Sequence, residues 1–469
     1  MTNPEQRLLQ RTRRQLFRDC GIGIGKAGLL SLLGESAFAA GKFHHPPKID
    51  RVIYLFMCGA PSHLELFDYK PELSKWDGKP TPESVLKGKR FAFMDTFSKE
   101  TPKLLATRRK FQRHGQAGTW VSELFPHIAS IADDITLING LSTENFNHGP
   151  AKLFSNTGSV RTGRPCMGSW VTYGIGSESK DLPGFVVLQS GPRGPRGGAA
   201  LWGSGFLPTA YQGIPFRSGG DPILDLSSPA GVTKDEQRQT LDAIADLNRL
   251  RLESTADQEI ATRISQYEMA FRMQTSGPEL IDFGKESKAT LEMYGAEPGK
   301  ATYANNCLLA RRLVERGVRF VQLYHADWDH HQDITKPLDE VTHEVDRPTA
   351  ALIRDLKQRG LLDRTLVIWG GEFGRTPMGE VREKGQIGRN HHIDSYSIFM
   401  AGGGIKPGQT VGGSDELGFT PTEHIDVHDV HASVLHMLGI DHLKLTFRSQ
   451  GRDFRLTDIK GRLIQKLLA

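Results

Sequence analysis

The chain has 469 residues, 59 Lys+Arg against 54 Asp+Glu for a formal net charge of +5, and four cysteines. So weak a charge argues against a nucleic-acid partner, and so few cysteines argue against a disulfide scaffold. A chain of this length can bury a large core, as one big α/β domain or two smaller ones.

The first motif stands at the N-terminus. Thr12-Arg13-Arg14-Gln15-Leu16-Phe17 is a paired arginine followed by apolar residues. Gly21 to Leu33 is weakly apolar and interrupted only by Lys26, and Ala37-Phe38-Ala39 is a small-x-small cleavage site. The pattern predicts a twin-arginine signal over residues 1–39 and export of the folded protein to the periplasm or beyond. The apolar stretch is too short for a permanent span, and no later segment approaches about 18 uninterrupted apolar residues. The signal holds six Lys/Arg and three Asp/Glu, which leaves 53 against 51 in the remainder. Cys20 leaves with it, and Cys58, Cys166 and Cys307 allow at most one bridge.

Val52 to Met57 is continuously apolar, as a strand buried on both faces should be. The segments 135–138, 185–188, 320–323, 366–369 and 397–400 repeat that pattern. Helical periodicity lies between them at 304–316, 348–359 and 430–438. The alternation predicts a mostly parallel sheet covered on both faces, in a domain over 48–469. Within it, about 190–300 reads as an insertion: a Gly/Pro-rich loop to 230, then charged helix with Leu241, Ile244, Leu247 and Leu250 at 3–4 spacing.

Ligand sites in parallel α/β sheets lie at the carboxyl ends of the strands. There this chain places His63 and Asp68, then His148 in Asn147-His148-Gly149-Pro150, then Asp327, Asp329 and His331 in one run. Glu372 and Arg375 follow strand 366–369, and His391 precedes the last strand. Five convergent groups of His, Asp and Glu without cysteine are the ligand set of a hydrolytic centre with one or two divalent ions, Zn²⁺ or Mn²⁺. The expected metal residues are His63, Asp68, His148, Asp329, His331, Glu372 and His391, with Asp327 as substitute.

Gly59-Ala60-Pro61-Ser62-His63, Pro165-Cys166-Met167-Gly168-Ser169-Trp170, Trp328-Asp329-His330-His331, Gly371-Glu372-Phe373-Gly374-Arg375-Thr376-Pro377 and Gly451-Arg452-Asp453-Phe454-Arg455 resemble the family catalogued as domain of unknown function 1501. Its members are sulfatase-like proteins with twin-arginine signals. The resemblance implies the alkaline phosphatase-like α/β fold, a three-layer sandwich with metals at the carboxyl edge. It also implies an anionic ester substrate, such as a sulfated or phosphorylated glycan.

Residues 363–374 are similar to the sulfatase metal strand, with Glu372 in place of a metal-binding aspartate. His148 to Gly158 aligns with the sulfatase nucleophile helix, placing His148 where the formylglycine cysteine stands and Lys152 where an arginine faces the ester. His148 therefore reads as metal ligand or as nucleophile, and Arg375 as substrate binder or as partner of a structural carboxylate. His428, His431 and His436, with Arg452 and Arg455, read as structural. The leading function is an exported metal-dependent hydrolase of sulfate or phosphate esters. The alternatives are a non-catalytic metal- or glycan-binding protein on the same scaffold and a metal-dependent isomerase or mutase.

Replacing Arg13 and Arg14 together by lysine is expected to stop export, read as loss of a mature protein beginning near Ala40 from the periplasmic fraction. Undiminished periplasmic protein would rule the signal out.

Overall fold

Arg51–Met57 (β1) is apolar on both sides because it runs through the middle of a nine-stranded sheet. Its alternate residues enter two separate cores: Ile53, Leu55 and Met57 face one, Val52, Tyr54 and Phe56 the other. In this computed structural model the described residues are 43–469, apart from residue 90, 93–98, 218–222, 224–230 and 256. The predicted signal at 1–39 lies outside them.

The other central strands are Ile135–Ser142 (β2), Phe185–Ser190 (β3), Phe320–His325 (β4), Thr365–Gly370 (β5) and, after the hairpin Gly374–Glu380 (β6) and Gly388–His392 (β7), Tyr396–Gly402 (β8). The order across the sheet is Gln409–Gly412, β2, β8, β5, β1, β4, β3 and Ile214–Pro215, with Ile425–Asp426 beside β2. Every neighbouring pair is parallel except those made by β8, which runs antiparallel to β2 and β5.

Helices cover both faces. Tyr303–Glu315 and Lys336–Gln358 bury Leu308, Leu313, Val345 and Leu352 in the first core. Met167–Ile175 and Val427–Met437 bury Trp170, Val171, Val434 and Leu435 in the second. The protein is thus the three-layer α/β sandwich with a mostly parallel sheet that the apolar runs predict. The second helix starts well before the expected 348 and carries Pro348 in its interior. A proline usually marks a first turn, but here burial of the helix face outweighs one missing N–H.

The segment at 190–300 contributes the short strand Ile214–Pro215, parallel to β3, and two long helices, Lys234–Thr255 and Gln258–Ile281. The 3–4 spacing does mark a helix, yet Leu247 and Leu250 remain 67% and 64% exposed.

At the carboxyl end of β1 the chain turns through Gly59 at φ 114°. A Cβ there would lie 2.6 Å from Asp329 N and 2.8 Å from Trp328 N, so only glycine lets the loop after β4 approach. Gly59→Ala is expected to destabilise the protein by at least about 2 kcal/mol in denaturant unfolding. Wild-type stability would contradict this packing of the two loops.

Candidate metal centre at the carboxyl edge

Each histidine of the site arrives on a separately anchored segment. After β4 the chain turns at Asp327, a non-glycine residue at φ 89°. Trp328 is fully buried and its Nε1–H donates to His325 Nδ1 at 3.0 Å, which leaves Asp329 and His331 to face the edge. His148 opens the helix His148–Thr157 (α1), whose N-cap Asn147 accepts from Gly149 N at 3.3 Å. His391 comes from the hairpin. That hairpin is pinned by the buried Arg389, whose Nε and Nη2 donate to Glu65 Oε1 at 2.9 and 2.7 Å.

The three imidazoles converge on one carboxylate. His148 Nε2 and His331 Nε2 each lie 3.1 Å from Asp329 Oδ1, and His391 Nε2 lies 3.4 Å from it. His331 Nε2 and His391 Nε2 are 2.8 Å apart. All four ligand atoms fall within 4.8 Å of one another. Nitrogens and oxygens about 2.0–2.1 Å from a tetrahedral ion stand about 3.3 Å apart, the scale seen here.

The second nitrogen of every ring is held. His148 Nδ1–H donates to Glu372 Oε1 at 2.7 Å, His331 Nδ1–H to Glu380 Oε2 at 2.5 Å, and His391 Nδ1–H to the Phe146 carbonyl at 2.5 Å. Those bonds fix the tautomer that points an Nε2 lone pair inward. Three imidazole Nε2 atoms and a carboxylate oxygen meeting at this spacing form a cradle for a cation. The donor set therefore fits a divalent transition ion.

The charges agree. Burial works against the Asp329 carboxylate, but Arg375 and the three imidazoles hold it far below the usual carboxylate range. Burial lowers His391 to about 3, helped by Arg375, His148 and His331 and opposed by its bond to Asp329. Burial also disfavours a charged His148, yet Asp329 and Glu372 outweigh it and raise the group above its ordinary value.

Of the expected ligands, the structure gathers His148, Asp329, His331 and His391 and places three others elsewhere. Glu372 stands behind His148. Both its oxygens accept from Gly59 N, at 3.0 and 3.2 Å, so it orients the imidazole instead of joining the four. His63 is buried against Gly374 and stacked on His392 at 6.2 Å, with neither ring nitrogen partnered among the described residues. Burial, then His392, Lys70 and Arg389, push its pKa well down. Asp68 is taken by Lys70 Nζ at 2.8 Å and by the Ser414 hydroxyl. The substitute Asp327 turns outward to Arg193 at 2.8 Å.

Arg375, read as a possible substrate binder, is completely buried. Nη2 reaches Asp329 Oδ1 at 2.7 Å and Trp328 O at 3.3 Å, and also donates to Gly59 O. Nε donates to Ala60 O at 3.0 Å and Nη1 to Arg389 O at 3.1 Å. Fully buried and bound to Asp329, it follows the reading as a structural partner. Lys152 differs: it is buried, lines an open cleft beside His148 and Asp329, and forms no side-chain bond among the described residues.

Glu380 and the Phe146 carbonyl escaped the sequence reading. Glu380 ends a hairpin strand outside the main sheet, and a backbone carbonyl leaves no residue signal at all. His428 and His431 face the carbonyls of Gly158 and Ser155, and Arg452 pairs with Asp458, in line with structural roles.

The chain belongs to the family described as a protein of unknown function, DUF1501, whose pattern matches residues 49–468. No curated protein matches it. Among solved structures it is similar to Ps i-CgsB in complex with k-i-k-neocarrahexaose, at 10% identity over 83% of this chain and 72% of that one, TM-score 0.37. PsFucS1 sulfatase from Pseudoalteromonas sp. is 12% identical over 94% and 72%, TM-score 0.35. Alkaline phosphatase from the Antarctic bacterium TAB5 is 10% identical over 84% and 98%, TM-score 0.33. Likenesses this distant carry no argument about activity, which must come from the site.

Removing the Arg375 side chain leaves Asp329 and four carbonyls without their donor. Arg375→Ala is expected to cost about 3–5 kcal/mol in unfolding experiments, and Arg375→Lys to recover little of it because an ammonium cannot reach all the acceptors. A variant of unchanged stability would remove Arg375 from this role.

Proposed function

We propose that His148, Asp329, His331 and His391 hold one divalent transition-metal ion, zinc or manganese, and that the protein hydrolyses sulfate or phosphate esters beside it after export. The observation that carries this reading is the convergence of three imidazole Nε2 atoms on Asp329, each ring fixed from behind by a carboxylate or carbonyl.

When bound, the ion supplies Lewis acidity to an ester oxygen. The chain's own groups do the rest. Glu372 and Glu380 keep His148 and His331 in the tautomer that can hold a cation. Arg375 keeps Asp329 ionised. Lys152, buried in the cleft wall, neutralises the ester anion, and the N-terminus of α1 adds a positive field at the same place. A sulfated or phosphorylated glycan is the substrate class proposed.

A binding protein without turnover is the competing reading, and one observation favours it. The cleft lining contains no serine or threonine among the described residues. Its one thiol, Cys58, is pushed well above its usual range by burial and by Glu372.

Purified protein is expected to carry one zinc or manganese per chain by elemental analysis. His331→Ala should abolish binding, and Glu380→Gln should weaken it about 10–100-fold. Lys152→Gln should keep the metal and lower kcat/KM on aryl sulfates or phosphates about 100-fold. Protein that stays metal-free after loading with either ion sinks the metal centre. Metal-loaded protein without turnover on any ester of the panel sinks the hydrolase and leaves the binding protein.

A further inference from the structure

The cleft has two walls of different origin. One is the metal side, with His148, Lys152 and Asp329; the other is the Gly/Pro-rich loop after β3, which contributes Arg193 and Arg196. The loop is held at its base. Asn306 Nδ2–H donates to Gln189 O at 2.9 Å, and Gly191, at φ 91°, lies so close to the β4 turn that a Cβ would meet Ala326 N at 3.0 Å. Pro192 and Pro195 stiffen the next residues of the loop. These arginines are therefore carried over the site by anchored backbone.

The cation count exceeds what one ester needs. Asp329 is already matched by Arg375 and the imidazoles. That leaves Lys152, Arg193 and Arg196 against Asp327 alone in the cleft lining. Lys152 is buried beside the metal residues, whereas Arg196 is exposed at the mouth and has no hydrogen bond or ion pair among the described residues. Arg193 has Asp327 as its partner, at 2.8 Å, with the two side chains 50% and 47% exposed. So exposed a pair is weak and is easily exchanged for a better anion. Positive charge is thus split into a deep zone and a rim zone.

We propose that Arg196, joined by Arg193 once it leaves Asp327, forms a second anion subsite at the cleft mouth. The substrate then carries a further sulfate, phosphate or carboxylate group besides the ester that reacts. The naming of a reacting ester rests on the hydrolase reading above, while the subsite is read by binding alone.

Calorimetry on the metal-loaded mature chain, with sucrose octasulfate and inorganic sulfate as probes, tests it. Wild-type protein should bind the octasulfate at least about tenfold more tightly than sulfate. Arg196→Gln should weaken octasulfate binding about tenfold, and Arg193→Gln with Arg196→Gln further still, while sulfate binding stays within about twofold. Asp327→Asn, which keeps a residue tolerant of positive φ and releases Arg193, should tighten it. Octasulfate binding unchanged in the single and double arginine variants overturns the subsite. If instead the hydrolase reading is what fails, turnover is absent on every ester while the arginine dependence of binding persists.

Discussion

Arg375 is the knot on which the site depends. Its guanidinium has no exposure, and its donors run to Gly59 and Ala60 after β1, to Trp328 and Asp329 after β4, and to Arg389 on the hairpin. A buried cation is tolerable only if every N–H finds an acceptor and its charge finds a partner. Here that partner is Asp329. Satisfying one arginine therefore brings three chain segments together and sets the ionised carboxylate at their meeting point.

Around that carboxylate the imidazoles are arranged from behind. Glu372 and Glu380 are each completely buried, and each spends an oxygen on a histidine Nδ1–H. Buried anions of this kind would be costly alone, but Glu372 also accepts from Gly59 N and Glu380 from Arg382 Nε at 2.9 Å. The outcome is a cluster whose donor atoms are oriented by the protein itself. The open side, by contrast, is lined by lysine and arginine with few commitments. Rigid anions inside and loosely held cations outside suit a site that keeps a metal and exchanges an anionic ligand.

How much of the molecule was legible in its sequence depends on the physical property that each signal measures. Continuous apolar runs report burial on both faces, so the central strands and the mostly parallel sheet were readable, and with them the edge where the site lies. Four of the seven expected metal residues meet there. The other three share a cause: a residue that succeeds a strand is near the edge, but nothing in its position says which way it turns. His63 turns inward behind Gly374, Asp68 is taken by Lys70, and Glu372 is drawn to Gly59 N, whose N–H points at it because β1 ends in a positive-φ glycine. Glu380 was invisible for the opposite reason. It sits at the far end of the hairpin strand Gly374–Glu380, and only the pairing with Gly388–His392 brings it under His331.

Geometry separates the two roles open to His148. A nucleophilic imidazole must offer its lone pair to the substrate, with room for the leaving group opposite. His148 Nε2 instead points at Asp329 Oδ1, 3.1 Å away, its ring lies 4.3 Å from that of His391, and the side chain is 13% exposed. His148 Nε2 is thus aimed into the cluster, at Asp329. Comparison with the sulfatase motif sharpens the point. There the helix position bears the nucleophile and the strand carboxylate binds metal, whereas here His148 reaches forward into the ligand group and Glu372 withdraws to orient it. The two changes depend on each other, because a histidine at the helix mouth needs an acceptor for Nδ1–H, and the longer glutamate supplies it from a fully buried seat. In the reading proposed above, His148 is a ligand where the sulfatase motif has an attacking group, and the attacking oxygen has to be water.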